Sequence, residues 1–201
     1  FGVDAPSQGN EQFLRFTYSK KRKYEIYFQA RNEIKQKNLP SHLETEALDV
    51  LSDQRTSHVR LHFSHKLNKA LELRNRIQFN YYEIGGMGIS RGYLIYQDFI
   101  YKPLEFPLSF TARFALFDTD DYNSRIYAYE NDLLYVFTIP PYFNQGSRAY
   151  INLRYRPIKA WTLEFRYART EYNNLESISS GLNEIEGNLR EDFRAQIKFN
   201  F

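Results

Sequence analysis

The feature that most restricts how this chain can fold is a period of two in its hydrophobicity. From Leu71 the run LELRNRIQFNYY puts Leu71, Leu73, Ile77, Phe79 and Tyr81 on one side and Glu72, Arg74, Arg76, Gln78 and Asn80 on the other. A helix would scatter both sets around its axis, whereas a strand separates them onto two faces. The same alternation sets Tyr24, Ile26, Phe28 and Ala30 against Glu25, Tyr27, Gln29 and Arg31, and Val59, Leu61 and Phe63 against Arg60, His62 and Ser64. It returns at Leu108–Phe114, Ala149–Tyr155 and Trp161–Tyr167. The pattern predicts an all-β chain of antiparallel strands, each with one apolar and one polar face.

Breaks between these runs come in two kinds. Short basic ones, SKKRK, HKLNKA, YKPLEFP and RPIKA, each precede a strand that soon reaches an Arg. Longer polar ones are residues 37–57, GGMG at 85–88, DTDDYN at 118–123, PPYFNQG at 140–146, and residues 172–191. Short turns on one rim and long loops on the other describe an up-and-down outer-membrane β-barrel. Two long breaks follow one another with only SRIYAYENDLLYVFTI between them, so strict alternation of rims requires two strands there, turning at Glu130-Asn131-Asp132. Eleven strands result, starting near Phe13, Tyr24, His58, Leu71, Ile89, Leu108, Arg125, Leu133, Arg148, Thr162 and Asp192. Eleven is odd and bacterial single-chain barrels are even, so residues 1–201 read as the C-terminal portion of one barrel domain with at least one strand before Phe1.

Composition agrees once the pattern is known. No run approaches 18 uncharged apolar residues, which excludes a transmembrane helix. The mean hydropathy of −0.62 resembles that of a soluble protein, but a strand with one lumenal face hides its apolar content in such an average. The 17 Tyr and 17 Phe stand beside a single Trp, and Tyr81, Tyr82, Tyr96, Tyr101, Tyr135, Tyr142, Tyr155, Trp161 and Tyr172 are expected in aromatic girdles at the membrane interfaces. There is no cysteine, hence no disulfide and no thiolate metal site. A net charge of +3, from 27 basic and 24 acidic residues, gives no argument for nucleic-acid binding. The start, Phe1-Gly2-Val3-Asp4, carries neither initiator Met nor export signal, and is read as following a lost upstream segment.

The last ten residues, DFRAQIKFNF, place Phe193, Ala195, Ile197, Phe199 and Phe201 on one face. About 9–11 residues span a bilayer at barrel tilt. The ending resembles the C-terminal signal of bacterial outer-membrane proteins, which implies recognition by the barrel-assembly machinery through Phe193, Ile197, Phe199 and Phe201. Three further pieces, RIYAYENDLLY at 125–135, IPPYF at 139–143 and RYRP at 154–157, resemble the barrel region of a family of Bacteroidota envelope proteins that often carry an N-terminal helix-hairpin-helix domain. That resemblance covers about the last third and implies an outer-membrane location. No helix-hairpin-helix signature is present, so no DNA-related role is implied.

Candidate chemistry is sparse. His58 and His62 share a face but stand ~13 Å apart at ~3.3 Å per residue, too far for one zinc ion, and His65 points the other way. Ser57 and Ser64 beside His58 and His62 suggest a lipid hydrolase only weakly: Ser64 and His62 are ~6.6 Å apart along one strand, and no nucleophile elbow is present. The chain therefore reads as a non-enzyme without cofactor. The polar faces carry Arg31, Arg60, Arg74, Arg76, Arg113, Arg148, Arg154, Arg166, Arg194 and Lys198 against Glu25, Glu33, Glu72 and Glu164. Facing lipid, an Arg would cost about 2–4 kcal/mol at the midplane, so these side chains are expected to face the lumen. There they either form a ladder of Arg–Glu pairs that itself fills and braces a narrow interior, or line a pore that attracts an anionic solute. Residues 37–57 hold Leu43, Ala47, Leu48 and Leu51 behind a Ser41/Glu44 capping pair, and read as a short helix or a disordered loop.

Two functions from different classes follow. One is an outer-membrane barrel in contact with lipid, serving as a channel or as the anchor of a periplasmic domain. The other is a soluble all-β binding module of carbohydrate-binding type. They differ in which face is buried: a sandwich buries the apolar face, and a barrel encloses the Arg face.

Overall fold

In a computed structural model, which describes residues 3, 5–39 and 51–200, nine long strands form one antiparallel sheet. They are β1 (Gly9–Lys20), β2 (Tyr24–Asn38), β3 (Leu51–Lys66), β4 (Leu71–Ile84), β5 (Ile89–Tyr101), β6 (Leu108–Thr119), β9 (Gln145–Tyr155), β10 (Trp161–Tyr172) and β13 (Leu189–Phe199). Each pairs with its predecessor in that order, so the sheet is an up-and-down meander, with β1 and β13 at its two edges. Between β6 and β9 lie two short strands, β7 (Ile126–Tyr127) and β8 (Pro141–Tyr142), which pair with each other. Between β10 and β13 lie a second small pair, β11 (Ser177–Ile178) and β12 (Ile185–Glu186).

The eleven-strand expectation is corrected here. Ser124–Ile139 does not make two sheet strands turning at Glu130-Asn131-Asp132; it belongs to one excursion, residues 120–144, that leaves the sheet and returns at the same rim. Length explains why: the strands of the sheet run from 11 to 16 residues, and this single stretch would have to supply two. The alternation of rims is thereby rescued without the split. The turns after β1, β3, β5 and β9 share one rim, and the β2–β3 connection, the turn at Gly85–Gly88, the excursion and the β11–β12 hairpin share the other.

Other boundaries also move. β2 continues to Asn38 and β3 begins at Leu51, so the ends of the loop expected at 37–57 are strand. Leu43, Ala47, Leu48, Ser41 and Glu44 lie outside the described residues, as does Phe201. GGMG is a tight turn with Gly85, Gly86 and Gly88 at positive φ rather than a long loop.

Candidate functional site

Register makes the two faces of the sheet explicit. One row of directly opposed residues runs Tyr27, His62, Arg76, Tyr96, Ala115, Arg148 and Thr170; the next runs Glu25, Ser64, Arg74, Asp98, Arg113, Tyr150 and Ala168. Opposed residues share a face, so both rows lie on what we term the inner face. All ten positions expected to face inward occupy it: Arg31, Arg60, Glu72, Arg74, Arg76, Arg113, Arg148, Arg154, Glu164 and Arg166. Arg113 and Arg166 are buried there, at 4% and 1% exposed.

The excursion folds onto this face as a plug. Asn80 Nδ2 donates to the Arg125 carbonyl at 2.8 Å, and Arg113 Nη1 to the Tyr129 carbonyl at 2.8 Å. Glu130, fully buried, accepts from Arg148 Nε at 2.7 Å, from the Tyr142 hydroxyl at 2.6 Å, and from Arg166. Asp132 accepts from Arg194 Nη1 at 2.6 Å, and the Asn131 carbonyl from Asn152 Nδ2 at 2.6 Å. The three residues expected to form a turn between membrane strands are thus the anchor of the plug. Burial pushes the Glu130 carboxyl up, but Arg148, Tyr142 and Arg166 together hold it below the ordinary glutamate range.

A small apolar core forms between the plug and the sheet, from Ile126, Ala128 and Tyr142 of the plug together with Leu94, Tyr96, Ala115, Phe117, Tyr172 and Ile178. Phe117 packs edge-on against Tyr142 and Tyr172, with ring centroids 5.5 and 5.9 Å apart. This corrects the girdle assignment for Tyr96, Tyr142 and Tyr172, which are buried on the inner face. Tyr135 sits on the plug, where its hydroxyl accepts from Lys198 Nζ at 3.0 Å. Tyr81, Tyr155 and Trp161 are exposed on the opposite, outer face. Gly92 permits the plug's entry, because a Cβ there would meet the Ser124 carbonyl oxygen at 2.6 Å.

Sequence reading missed three acids. Asp98, in LIYQDFIY, receives a two-pronged Arg113 at 2.5 and 2.8 Å, yet both faces of β5 look largely apolar in sequence. Glu130 and Asp132 were masked by their resemblance to a turn. The count of ten bases against four acids therefore overstated the inner-face excess.

The weak chemistries do not assemble. Ser64 Oγ donates to Glu72 at 2.8 Å and Ser57 Oγ to Asn32 at 2.7 Å, so neither serine is directed at a histidine. His58 pairs with Gln29 at 3.0 Å, and His62 stacks on Tyr27 with centroids 4.8 Å apart. Among the described residues no group of three or more His, Asp or Glu could hold a metal ion.

No protein-family profile, curated protein or solved structure matches the chain.

The outer face is apolar and open. Phe28, Leu61, Phe79, Ile95, Phe114, Phe165 and Phe193 are each 39–69% exposed. The band they form ends obliquely across the sheet. On β5 its edge is Tyr93, opposite Asp118; on β6 it is Leu116, opposite Ser147; on β9 it is Ala149, opposite Arg169. The edge steps by two residues from β5 to β6, from β6 to β9 and from β9 to β10, as a level band does when strands are tilted across it.

Proposed function

We propose that this chain is the wall and internal plug of an outer-membrane β-barrel of a Gram-negative, Bacteroidota-type envelope. Its outer face would meet lipid, and its arginine face would surround an interior half filled by the 120–144 excursion. One observation carries the reading: the face that is buried is the cationic one, and the face left open is the aromatic and aliphatic one. A soluble sandwich has the reverse arrangement. The oblique apolar edge supports the same reading, since strands cross a bilayer tilted by about 35–45°. Phe193, Ile197 and Phe199 lie together on the outer face of edge strand β13, which suits capture by the assembly machinery.

The role best supported is holding or passing an anionic solute along the half of the interior that the plug leaves open, rather than catalysis. Trp161, the single tryptophan, lies 42% exposed on the outer face at a strand end and tests the placement without substitution. In vesicles containing brominated lipid, its emission should be strongly quenched. A soluble binding module would show no such quenching and would stay folded without detergent. Bilayer recordings then separate the roles: anion-selective conductance that weakens with salt marks a channel, and its absence in a quenched, assembled protein marks an anchor.

A further inference from the structure

The plugged and unplugged parts of the inner face differ in how their cations are satisfied, and the unplugged part contains a cavity of about 490 Å³. It lies at the rim of the short turns, walled by the β1–β2 turn and by the inner faces of β2, β3 and β4. Six cations line it, Lys20, Lys21, Arg22, Lys23, Lys66 and Arg74, against two carboxylates, Glu25 and Glu72. Glu72 is already engaged by Arg74 Nε at 2.6 Å and by Ser64 Oγ at 2.8 Å.

The basic turn is held in place. Lys23 N donates to the Lys20 carbonyl at 2.9 Å, and Lys66 N donates to the Lys23 carbonyl at 2.7 Å, tying the turn to β3. Arg22 sits at φ 62°, a left-handed position that glycine or asparagine would occupy with less strain. Deeper in the same patch, His62 Nδ1, on the cavity wall, and Arg76 Nε, on the next strand, are buried without a hydrogen-bond partner among the described residues. Clustered cations with polar atoms left unsatisfied mark a place where an anion completes the structure.

We propose that this cavity binds a soluble, multiply phosphorylated small molecule, one carrying at least two neighbouring phosphate groups. Net of Glu25 and Glu72 the lining carries four positive charges, of which a single monoanion would leave three uncompensated, and the volume falls in the range of about 300–1,000 Å³ typical of small-molecule sites. Lys and Arg together suit phosphate oxygens, Arg by two-pronged hydrogen bonding and Lys as a point charge. The proposal rests on the reading of the inner face as the barrel interior, which is the ligand's route of entry.

The test is titration calorimetry of the full protein in zwitterionic detergent at low salt, with inorganic tripolyphosphate as probe. Saturable binding is expected, at least tenfold tighter than for inorganic phosphate and weakening as salt rises. The K66Q/R74Q variant should lose at least tenfold, and R169Q, on the outer face, should bind as the parent does. No saturable heat, or no loss in K66Q/R74Q, overturns the site. Equal competition by phosphatidylglycerol in mixed micelles overturns the soluble ligand in favour of a lipid headgroup. Trp161 quenching on the same protein keeps the readings apart: lost binding with quenching retained defeats only the site, and retained binding without quenching defeats only the membrane placement.

Discussion

The inner face of β1–β4 and that of β5–β13 are built from the same residue types and satisfy them differently. On the β5–β13 side Arg113 grips Asp98, Arg148 and Arg166 grip Glu130, Arg154 meets Glu164 at 2.6 Å and Arg194 meets Asp132. On the β1–β4 side Arg60 donates to the neutral Gln78 at 2.7 Å, Arg76 faces the Tyr96 ring at 5.2 Å, and Arg74 meets Glu72, two residues away on its own strand, at 2.6 Å with its side chain 39% exposed. Arg31, midway along β2, pairs with Glu11 and Glu33, and its side chain is 36% exposed. The difference teaches that a guanidinium's role is set by whether a carboxylate reaches it. Desolvated charge is tolerated only when paired, so the buried arginines of the plugged half serve as structure, whereas the paired Arg31 and Arg74 of the open half keep contact with solvent.

Glu130→Gln should break this comparison most sharply. It leaves Arg148 and Arg166 facing a neutral group in a buried site and should cost about 3–5 kcal/mol. Glu72→Gln, on the half-open side, should cost under about 1 kcal/mol. The midpoint of thermal unfolding reads both, and equal losses would erase the distinction between the halves.

Gly92→Ala comes next, at about 1–3 kcal/mol, since its Cβ would meet the Ser124 carbonyl and Thr119 Cγ2 at 2.6 and 2.8 Å. Limited proteolysis within residues 120–144 should accelerate in this variant, and an unchanged rate would mean that the plug does not depend on that close approach.

Acid should loosen the plug for a related reason. Glu130 titrates lower in the folded protein than the unfolded value of about 4.3. Its contribution is therefore fully present above that pH and is lost as pH falls through the lower folded value. Proteolytic release of the plug should rise below about pH 4 in the parent, and Glu130→Gln should flatten that dependence.

A smaller effect than at Gly92 is expected at Asp121, where the excursion begins. Its carboxylate accepts from Ser90 Oγ at 2.7 Å and from the backbone N–H groups of Asn123 and Ser124. Burial raises its carboxyl, but these hydrogen bonds outweigh that and hold it below the usual range. Asp121→Ala should cost about 1 kcal/mol, and a loss as large as that of Glu130→Gln would place the plug's anchor at its entrance instead of at its tip.

What was legible in sequence is the part governed by local sterics. Alternation of the kind seen at Leu71–Tyr81 located most strands of the sheet and put Arg31, Arg60, Arg74, Arg76, Arg113, Arg148, Arg154 and Arg166 on one face, because successive side chains of a strand must point to opposite sides. The segment around Glu130 obeys the same alternation and so could not be told from a membrane strand. Its Ile126, Ala128 and Glu130 face inward as a strand's would. Nothing local says that the surface they meet is another strand's arginines. That choice belongs to the tertiary structure, where Arg148, Arg166 and Arg194, on three strands distant in sequence, converge on Glu130 and Asp132. Pairing across such distances depends on which faces the sheet brings together, and that decided which arginines became buried structure and which stayed on the part of the inner face that the excursion does not cover.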